Sequence, residues 1–142
     1  MIRTSRLALS NYSLREIRMT HELEQNVIDM FKAFDSLDFA TIFPLLSDDI
    51  VGIDELTQKW SKGRAEVEAN FRSFEGVVTE IHSDLSDFNV LLSSDMAIVT
   101  CILKQSYMYD GNLVEIIAPT TCALRLENGQ WKYVLLHTMP FA

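Results

Sequence analysis

The side chains that could carry chemistry in this chain are a few acids and one histidine. Asp54 follows a short hydrophobic run and stands beside Glu55, while His137 lies in the last hydrophobic run, which stops at Pro140. A carboxylate or an imidazole can transfer a proton when an apolar wall shifts its pKa and holds a substrate within reach. A solvated loop acid and a structural histidine are the alternative interpretation. The elements that position these residues decide between the two.

Other catalytic and metal-binding motifs are absent from the sequence. It has no Gly-rich phosphate loop, no Gly-x-Ser-x-Gly motif and no His-Glu-x-x-His helix. Its two cysteines form neither a Cys-x-x-Cys pair nor a Cys/His metal spacing. We therefore expect no metal ion and no cofactor.

The composition indicates a globular domain that does not bind nucleic acid. The 142 residues are 48% hydrophobic, with a formal net charge of −8 and a pI near 4.7. Such an acidic chain lacks the excess of Lys and Arg that releases cations from nucleic-acid phosphates. Polar residues interrupt every apolar run before the roughly 18 residues that span a bilayer. We expect a soluble, cytoplasmic protein with no membrane partner.

The first 18 residues belong to a different compositional regime, because they hold four arginines and a single acid. We assign residues 1–19 to a basic N-terminal extension and residues 20–142 to the domain. The extension is interpreted as a surface arm or as sequence upstream of a start at Met19, and an organelle targeting peptide is the less favoured alternative.

Three helices are predicted in the first half of the domain. From Thr20, the expected N-cap, apolar residues recur at three- and four-residue steps for about four turns. A second, short helix is capped by Asp38. A brief strand over 50–53 follows, and a third helix starts at Ser61 or Gly63.

After the third helix the apolar period changes from about 3.6 to 2, which predicts a long antiparallel meander. Asp110-Gly111 is predicted to be a two-residue hairpin turn, because both positions need positive φ. Counted from this turn, Cys101 lies opposite Thr120 and Cys122 opposite Val99. The two thiols are then diagonal neighbours, too far apart for a disulfide.

The same register separates the two faces of the meander. The face that carries Cys101, Tyr107 and Thr120 is apolar with a few polar groups, which is typical of a pocket wall. The opposite face, with Lys104 and Ile117, is typical of a subunit interface or a solvent-exposed surface.

The direction of His137 depends on the turn before the last strand. If residues 127–129 form a three-residue loop, Thr138 shares the face of Cys122 and His137 points away. If Asn128-Gly129 is a two-residue turn, every side chain flips and His137 faces the pocket.

Two segments carry a resemblance to a known family. LLSDDIVGIDELTQKWSKGRAEV has a paired acid, a strand, a Trp and a Gly-Arg pair that opens a helix, and LRLENGQWKYVLLHTMPF has a hairpin turn, a Trp-containing strand and a His before a final Pro. In this order they resemble the SnoaL-like branch of the nuclear-transport-factor-like superfamily, which includes steroid delta-isomerases, polyketide cyclases and scytalone dehydratase. The resemblance covers residues 20–141.

This resemblance implies a fold and an assembly. The fold is an α+β cone in which three N-terminal helices pack on a strongly curved, mainly antiparallel sheet around a hydrophobic cavity. Members of the family commonly form homodimers through the sheet face, so we expect a homodimer.

The resemblance also implies site residues. Asp54, five residues after Asp49, corresponds to the general-base aspartate of the isomerase branch. The two oxyanion-hole donors of that branch correspond to Met30 and Cys122, which cannot donate strong hydrogen bonds. A standard steroid isomerase is therefore disfavoured.

The sequence thus predicts a protein that binds a small hydrophobic metabolite, with isomerase, cyclase or dehydratase chemistry as the reaction to test. The alternative is a non-catalytic dimerisation or ligand-sensing module whose cavity is filled. The predicted catalytic residues are Asp54 and His137. The predicted ligand-binding residues are Met30, Trp60, Tyr107, Thr120, Cys122 and Thr138.

Overall fold

The computed structural model describes residues 2–3 and 13–140, which form three α-helices, a short 3-10 helix (Phe43–Leu45) and one seven-stranded sheet. The helices are α1 (Leu14–Asp35), α2 (Phe39–Ile42) and α3 (Arg64–Arg72). The strands are β1 (Ile2–Arg3), β2 (Leu46–Ile53), β3 (Ser61–Lys62), β4 (Val78–Leu92), β5 (Met96–Tyr109), β6 (Asn112–Glu127) and β7 (Gln130–Thr138).

The sheet has the strand order β1-β4-β5-β6-β7-β2-β3. Every pair is antiparallel except β2 and β7, which run parallel. The predicted α+β fold and the predicted meander are confirmed. None of the helices in the described part of the chain is long and apolar enough to cross a membrane.

Helix α1 begins at Leu14, earlier than predicted. Its N-cap is Ser13, whose Oγ accepts from the Glu16 amide while the Glu16 carboxylate accepts from the Ser13 amide. This reciprocal capping box satisfies two amides that lack partners within the helix. Thr20, predicted as the N-cap, is buried inside the helix, where its hydroxyl donates to the Glu16 carbonyl. The prediction for Thr20 was wrong because apolar periodicity is weak in the Arg-containing first turns.

The start of α1 also bears on the N-terminal extension. Residues 14–19, which we had assigned to the extension, belong to the helix. Residues 2 and 3 form strand β1, which pairs with the end of β4 at the edge of the sheet. Residues 4–12 lie outside the described residues.

The starts of the next two helices agree with the sequence. Asp38 caps α2, because its Oδ1 accepts from the Thr41 amide. Gly63, with a φ of +85°, is the residue that precedes α3. Strand β2 is longer than predicted, since it already begins at Leu46.

The Asp110-Gly111 turn forms as predicted, with positive φ at both residues. It places Cys101 opposite Thr120 and Cys122 opposite Val99. Both cysteines are free and buried. Burial raises the pKa of the Cys101 thiol to about 11, so it stays in the unreactive protonated form.

Two β-bulges bend strand β4. The register against β5 shifts between Thr79 and His82 and again between Ser86 and Asn89, and each bulge contains a residue with positive φ, Glu80 or Asp87. A bulge inserts one extra residue and increases the local bend of the strand. The sheet therefore curves around α1, which packs against β4.

A third bulge decides the direction of His137. Asn128-Gly129 is a two-residue turn, since Glu127 pairs with Gln130. The register against β6 then shifts at Val134, which has no partner. This extra residue reverses the alternation of the strand. Neither of our two alternatives for the last strand included it.

The bulge at Val134 determines which side chains of β7 lie on each face of the sheet. Tyr133, Leu136 and Thr138 share the concave face, and His137 lies on the convex face opposite Thr121. Tyr133 is fully buried and donates its hydroxyl to Asn26 Oδ1 of α1 at 2.6 Å. This bond fixes the helix against the sheet.

Candidate functional site

A cavity of about 90 Å³ lies between the concave face of the sheet and helices α1 and α3. Most of its wall is apolar. The volume is below the roughly 300–1,000 Å³ of sites that enclose drug-sized ligands, so the cavity suits a compact molecule. The polar residues on the wall include Asp54, Glu55, Asn70, Gln105, Tyr107 and Thr138.

Three phenylalanines narrow the cavity without filling it. Phe34 of α1 contacts Phe71 and Phe74 edge to face, with ring centroids 5.8 and 5.7 Å apart. Edge-to-face pairs are favourable because the positive ring edge meets the negative ring face. The cluster therefore forms a rigid aromatic wall on the helix side.

Asp54 directly follows β2 and organises the loop at the rim of the cavity. Its Oδ1 accepts from the amides of Leu56 and Thr57, each at 2.9 Å. Its Oδ2 accepts from the Thr57 hydroxyl at 2.9 Å and from the Asn70 side chain at 2.7 Å. Four donors thus occupy both oxygens of the carboxylate.

Glu55 has a different environment. It lines the cavity, and burial raises its pKa to about 7, with the neighbouring Asp54 charge adding to the effect. Only its own amide opposes this shift, and no side chain of the described residues pairs with the carboxylate. A carboxyl group with a pKa near neutrality can both take up and release a proton at physiological pH.

Tyr107 lies on the same wall. It is buried, and burial raises its pKa to about 12, with further contributions from the charges of Glu55 and Asp54. Its hydroxyl makes no hydrogen bond within the described part of the chain. The phenol is thus a neutral group whose proton is available to a ligand.

Gln105 is held by a chain of hydrogen bonds that leads to α1. The Ser83 hydroxyl donates to Asp35 Oδ1 at 2.6 Å, so the Ser83 oxygen can only accept from Gln105 Nε2, at 2.9 Å. The direction of this chain fixes the amide of Gln105. Its carbonyl oxygen has no partner among the described residues and is left to accept from a ligand.

Thr138 and Thr120 form a second chain. The Thr120 hydroxyl donates to the Ala118 carbonyl, so in the 3.4 Å contact between the two threonines Thr138 is the donor. Thr138 lines the cavity, whereas Thr120 is buried behind it. Thr138 can therefore offer a ligand lone pairs and no proton.

The structure brings together only part of the predicted set. Asp54, Met30, Tyr107 and Thr138 line the cavity, but Thr120 and Cys122 are buried outside its lining. His137 lies on the convex face, where its ring stacks on that of Trp60 at 6.1 Å, and Trp60 is 50% exposed. Because Thr120, Cys122, His137 and Trp60 do not line the cavity, their predicted roles have no support from its geometry.

Sequence reasoning missed Glu55, Asn70 and Gln105. Glu55 was treated only as a neighbour of Asp54, and nothing in the local sequence indicates which of two adjacent acids lacks a side-chain partner. Gln105 stood on the predicted pocket face, so its period-2 position was the available signal. Within residues 2–3 and 13–140, no group of three or more His, Cys, Asp or Glu side chains could hold a metal ion.

The described residues form an α+β fold in which a curved sheet and the helices enclose an apolar cavity with a few polar wall groups. Residues 23–139 match the model of the SnoaL-like domain family, and the chain belongs to this family. A comparison with curated protein sequences found no significant match.

Several solved structures share this fold. A candidate dehydratase of the NTF2-like family from Streptomyces avermitilis superposes with a TM-score of 0.81 at 20% identity, over 89% of this chain and 99% of that one. A ketosteroid isomerase-like protein from Erwinia carotovora atroseptica gives 0.72 at 19% identity, over 84% and 93%. The association domain of C. elegans CaMKII gives 0.73 at 17% identity, over 89% and 99%. At these identities the likeness concerns the fold alone.

Proposed function

We propose that the protein binds a small, mainly apolar metabolite in the cavity between the concave sheet face and helices α1 and α3. The observation that carries this proposal is an unfilled apolar cavity whose wall holds Glu55, a carboxyl group with no side-chain partner among the described residues. A partly buried acid without a side-chain partner is costly to the fold. Its presence is understandable if a ligand completes its contacts.

Adjacent leucines in β7 provide a matched test. Leu136 lines the cavity, whereas Leu135 lies on the convex face. A panel of compact ketones, enones and alcohols should raise the melting temperature of the wild type and of Leu135→Trp. The Leu136→Trp variant should lose these shifts, because the indole fills the cavity.

Native mass spectrometry of the protein from its own source provides the second measurement. A co-purified small molecule in the wild type, absent from Leu136→Trp, would support the proposal. If the panel gives no shift and no molecule co-purifies, or if both tryptophan variants behave alike, the cavity is not a binding site.

The reaction that we propose for this cavity is proton transfer within the bound molecule, as in isomerases, cyclases and dehydratases. Asp54 is the base predicted from the sequence, but its oxygens already accept four hydrogen bonds. The free carboxyl of Glu55 supports Glu55 as the group that exchanges the proton. Asp54 then acts as a positioning residue, since it fixes the loop that carries Glu55.

A second proposed function is homodimerisation through the convex sheet face. Ile117 is 50% exposed there, between Glu115 and the exposed Pro119 on β6. An exposed apolar patch on a sheet is a common site of association. The association domain of CaMKII among the structural neighbours is in line with an assembling role.

Light scattering on Ile117→Lys tests this second function. We expect a dimer mass for the wild type and a monomer mass for the variant, because a buried lysine without a partner disfavours the interface. Leu126→Lys is the control, since Leu126 is 38% exposed on the opposite face of the same strand. A wild-type monomer, or a dimer that survives Ile117→Lys, would contradict dimerisation at this patch.

A further inference from the structure

The charges on the cavity wall have one sign. Among the described residues that line it there are two acids, Asp54 and Glu55, and no Lys, Arg or His. Burial is the main cause of the raised pKa of Tyr107, and the charges of Glu55 and Asp54 raise it further, because both acids disfavour a negative charge at its oxygen. The same two charges disfavour an anionic ligand and favour a cationic one.

The wall also carries several hydrogen-bond acceptors that have no partner among the described residues. Glu55, the Gln105 carbonyl oxygen and Thr138 can accept from a ligand, for the reasons given above. Asn70 adds another acceptor: its NH₂ group must face the acceptor-only carboxylate of Asp54, so its carbonyl oxygen has no partner in the described chain. The uncommitted donors among the described side chains of the wall are the hydroxyls of Tyr107 and Ser61 and the second N–H of the Asn70 and Gln105 amides.

We propose that the preferred ligand of the cavity is a compact apolar amine, bound as its ammonium ion, with Glu55 as the ionic partner. An ammonium group has three donors and no acceptor, so it complements a wall that is rich in acceptors. The apolar part of the ligand packs against Phe34 and Phe71, whose rings also attract a cation. This inference rests on the proposed function, since it names the ligand class of the same cavity.

Binding couples to proton transfer in a defined way. A primary amine has a pKa near 10 in water, whereas Glu55 has a pKa of about 7. A neutral amine that enters the cavity takes the proton of protonated Glu55, and the products are the ammonium ion and the carboxylate. In the free protein Asp54, Glu55 and Tyr107 are the titratable groups on the described wall. Amine affinity should therefore fall as the pH decreases below 7.

Three probes of similar size separate the charge classes. Benzylamine, benzyl alcohol and benzoate carry a cation, a neutral group and an anion on the same ring. Calorimetry at pH 8 should show benzylamine binding at least about tenfold more tightly than benzyl alcohol, the effect of one charge-assisted hydrogen bond. Benzoate should show no binding.

Two Glu→Gln variants identify the residue responsible. Glu55→Gln should reduce the preference for benzylamine to about twofold or less while benzyl alcohol still binds. Glu22→Gln makes the same change at an exposed position on α1 and should keep the preference. It controls for the general attraction of a cation to a protein of net charge −8.

The outcomes separate the two proposals. If neither benzylamine nor benzyl alcohol binds, the proposed function of the cavity fails and the amine inference fails with it. If benzyl alcohol binds as tightly as benzylamine, or if Glu55→Gln keeps the preference, the amine inference is overturned and the cavity remains a binding site for neutral molecules.

Discussion

Two regions of this protein use acids in opposite ways. In the cluster formed by Ser47, Asp49, Arg125 and Glu127, every acid meets a cation. Arg125 donates to Asp49 Oδ1 at 2.7 Å and to Glu127 Oε2 at 2.6 Å, and the Ser47 hydroxyl bridges both acids. On the cavity wall the acids meet no cation, and Glu55 has no side-chain partner in the described chain.

The two environments move the pKa values in opposite directions. Hydrogen bonds from Arg125 and Ser47 lower the pKa of Asp49 to about 2. Burial raises the pKa of Glu55 to about 7. Paired acids join β2 to β6 and contribute to the fold, whereas the unpaired acid weakens the fold at neutral pH and is available for chemistry. The partners of an acid, and not its type, therefore distinguish a structural residue from a candidate functional one.

The largest expected effect concerns proton transfer by Glu55. In 5-nitrobenzisoxazole, a base removes the ring C–H proton, the electron pair forms a C≡N bond, and the N–O bond breaks to release a coloured phenolate. The wild type should catalyse this reaction with a rate that rises as the pH passes about 7, the pKa of Glu55. Glu55→Gln should lower the rate about 100-fold, the usual contribution of a positioned base.

Glu127→Gln is the matched control, because it makes the same change in the paired cluster and should leave the rate unchanged. Asp54→Asn separates the two adjacent acids. If Asp54→Asn abolishes the reaction while Glu55→Gln retains it, the base is Asp54, as the sequence predicted.

A smaller effect concerns stability. The folded pKa of Glu55 is raised above its ordinary value of 4.5, so the folded state binds more protons and its stability falls as the pH rises from about 4.5 to about 7. Glu55→Gln removes this titration. The free energy of unfolding of the variant, relative to that of the wild type, should therefore increase by about 2 kcal/mol between pH 4.5 and pH 8.

Urea unfolding at the two pH values measures this difference. If the variant is more stable than the wild type by the same amount at both pH values, the substitution acts through packing. A loss at pH 8 would show that the Glu55 carboxylate has a partner that stabilises its charge.

The smallest effect concerns the paired cluster, whose charges are exposed to solvent. Asp49→Asn should lower the melting temperature at pH 7, because Arg125 loses an ionic partner. The folded pKa of Asp49 is depressed, so the contribution of Asp49 is present above about pH 4 and is lost as the pH falls towards 2. The melting curves of variant and wild type should therefore converge in that range.

Asp84→Asn, at an exposed acid of β4 with no ion pair in the described chain, is the control and should leave the melting temperature unchanged. A constant difference between Asp49→Asn and the wild type from pH 7 to pH 2 would mean that the cluster does not act through charge.

Local signals in the sequence were enough for the order of elements and for one register. Asp110-Gly111 occupies positive φ at both positions, and the pairing counted from this turn is the observed one. The bulges of β4 and β7 could not be predicted, because neither strand contains a glycine, the residue that adopts positive φ most readily. They form where the sheet must bend around α1, which is a tertiary requirement.

The candidate site, like the fold, was only partly predictable from the sequence. Asp54 was predicted from the resemblance to the isomerase branch, but its four hydrogen bonds depend on Asn70 of α3 and on the local loop. Glu55 could not be distinguished from a solvated acid, since burial of a loop residue depends on which walls close over it. His137 was correctly placed in a strand, yet one extra residue before it turned its ring to the convex face.

The sequence by itself determined the α+β class, the helices followed by a meander, and the apolar face that lines the cavity, because periodicity and turn residues act over short distances. Only the tertiary structure decided which acid is paired and which is unpaired, since those contacts join residues far apart in the chain. Arg125 meets Asp49 across 76 positions, and the charge of Glu55 acts on Tyr107, which belongs to a different element. Charge and burial at a site are properties of that assembly, which no local pattern encodes.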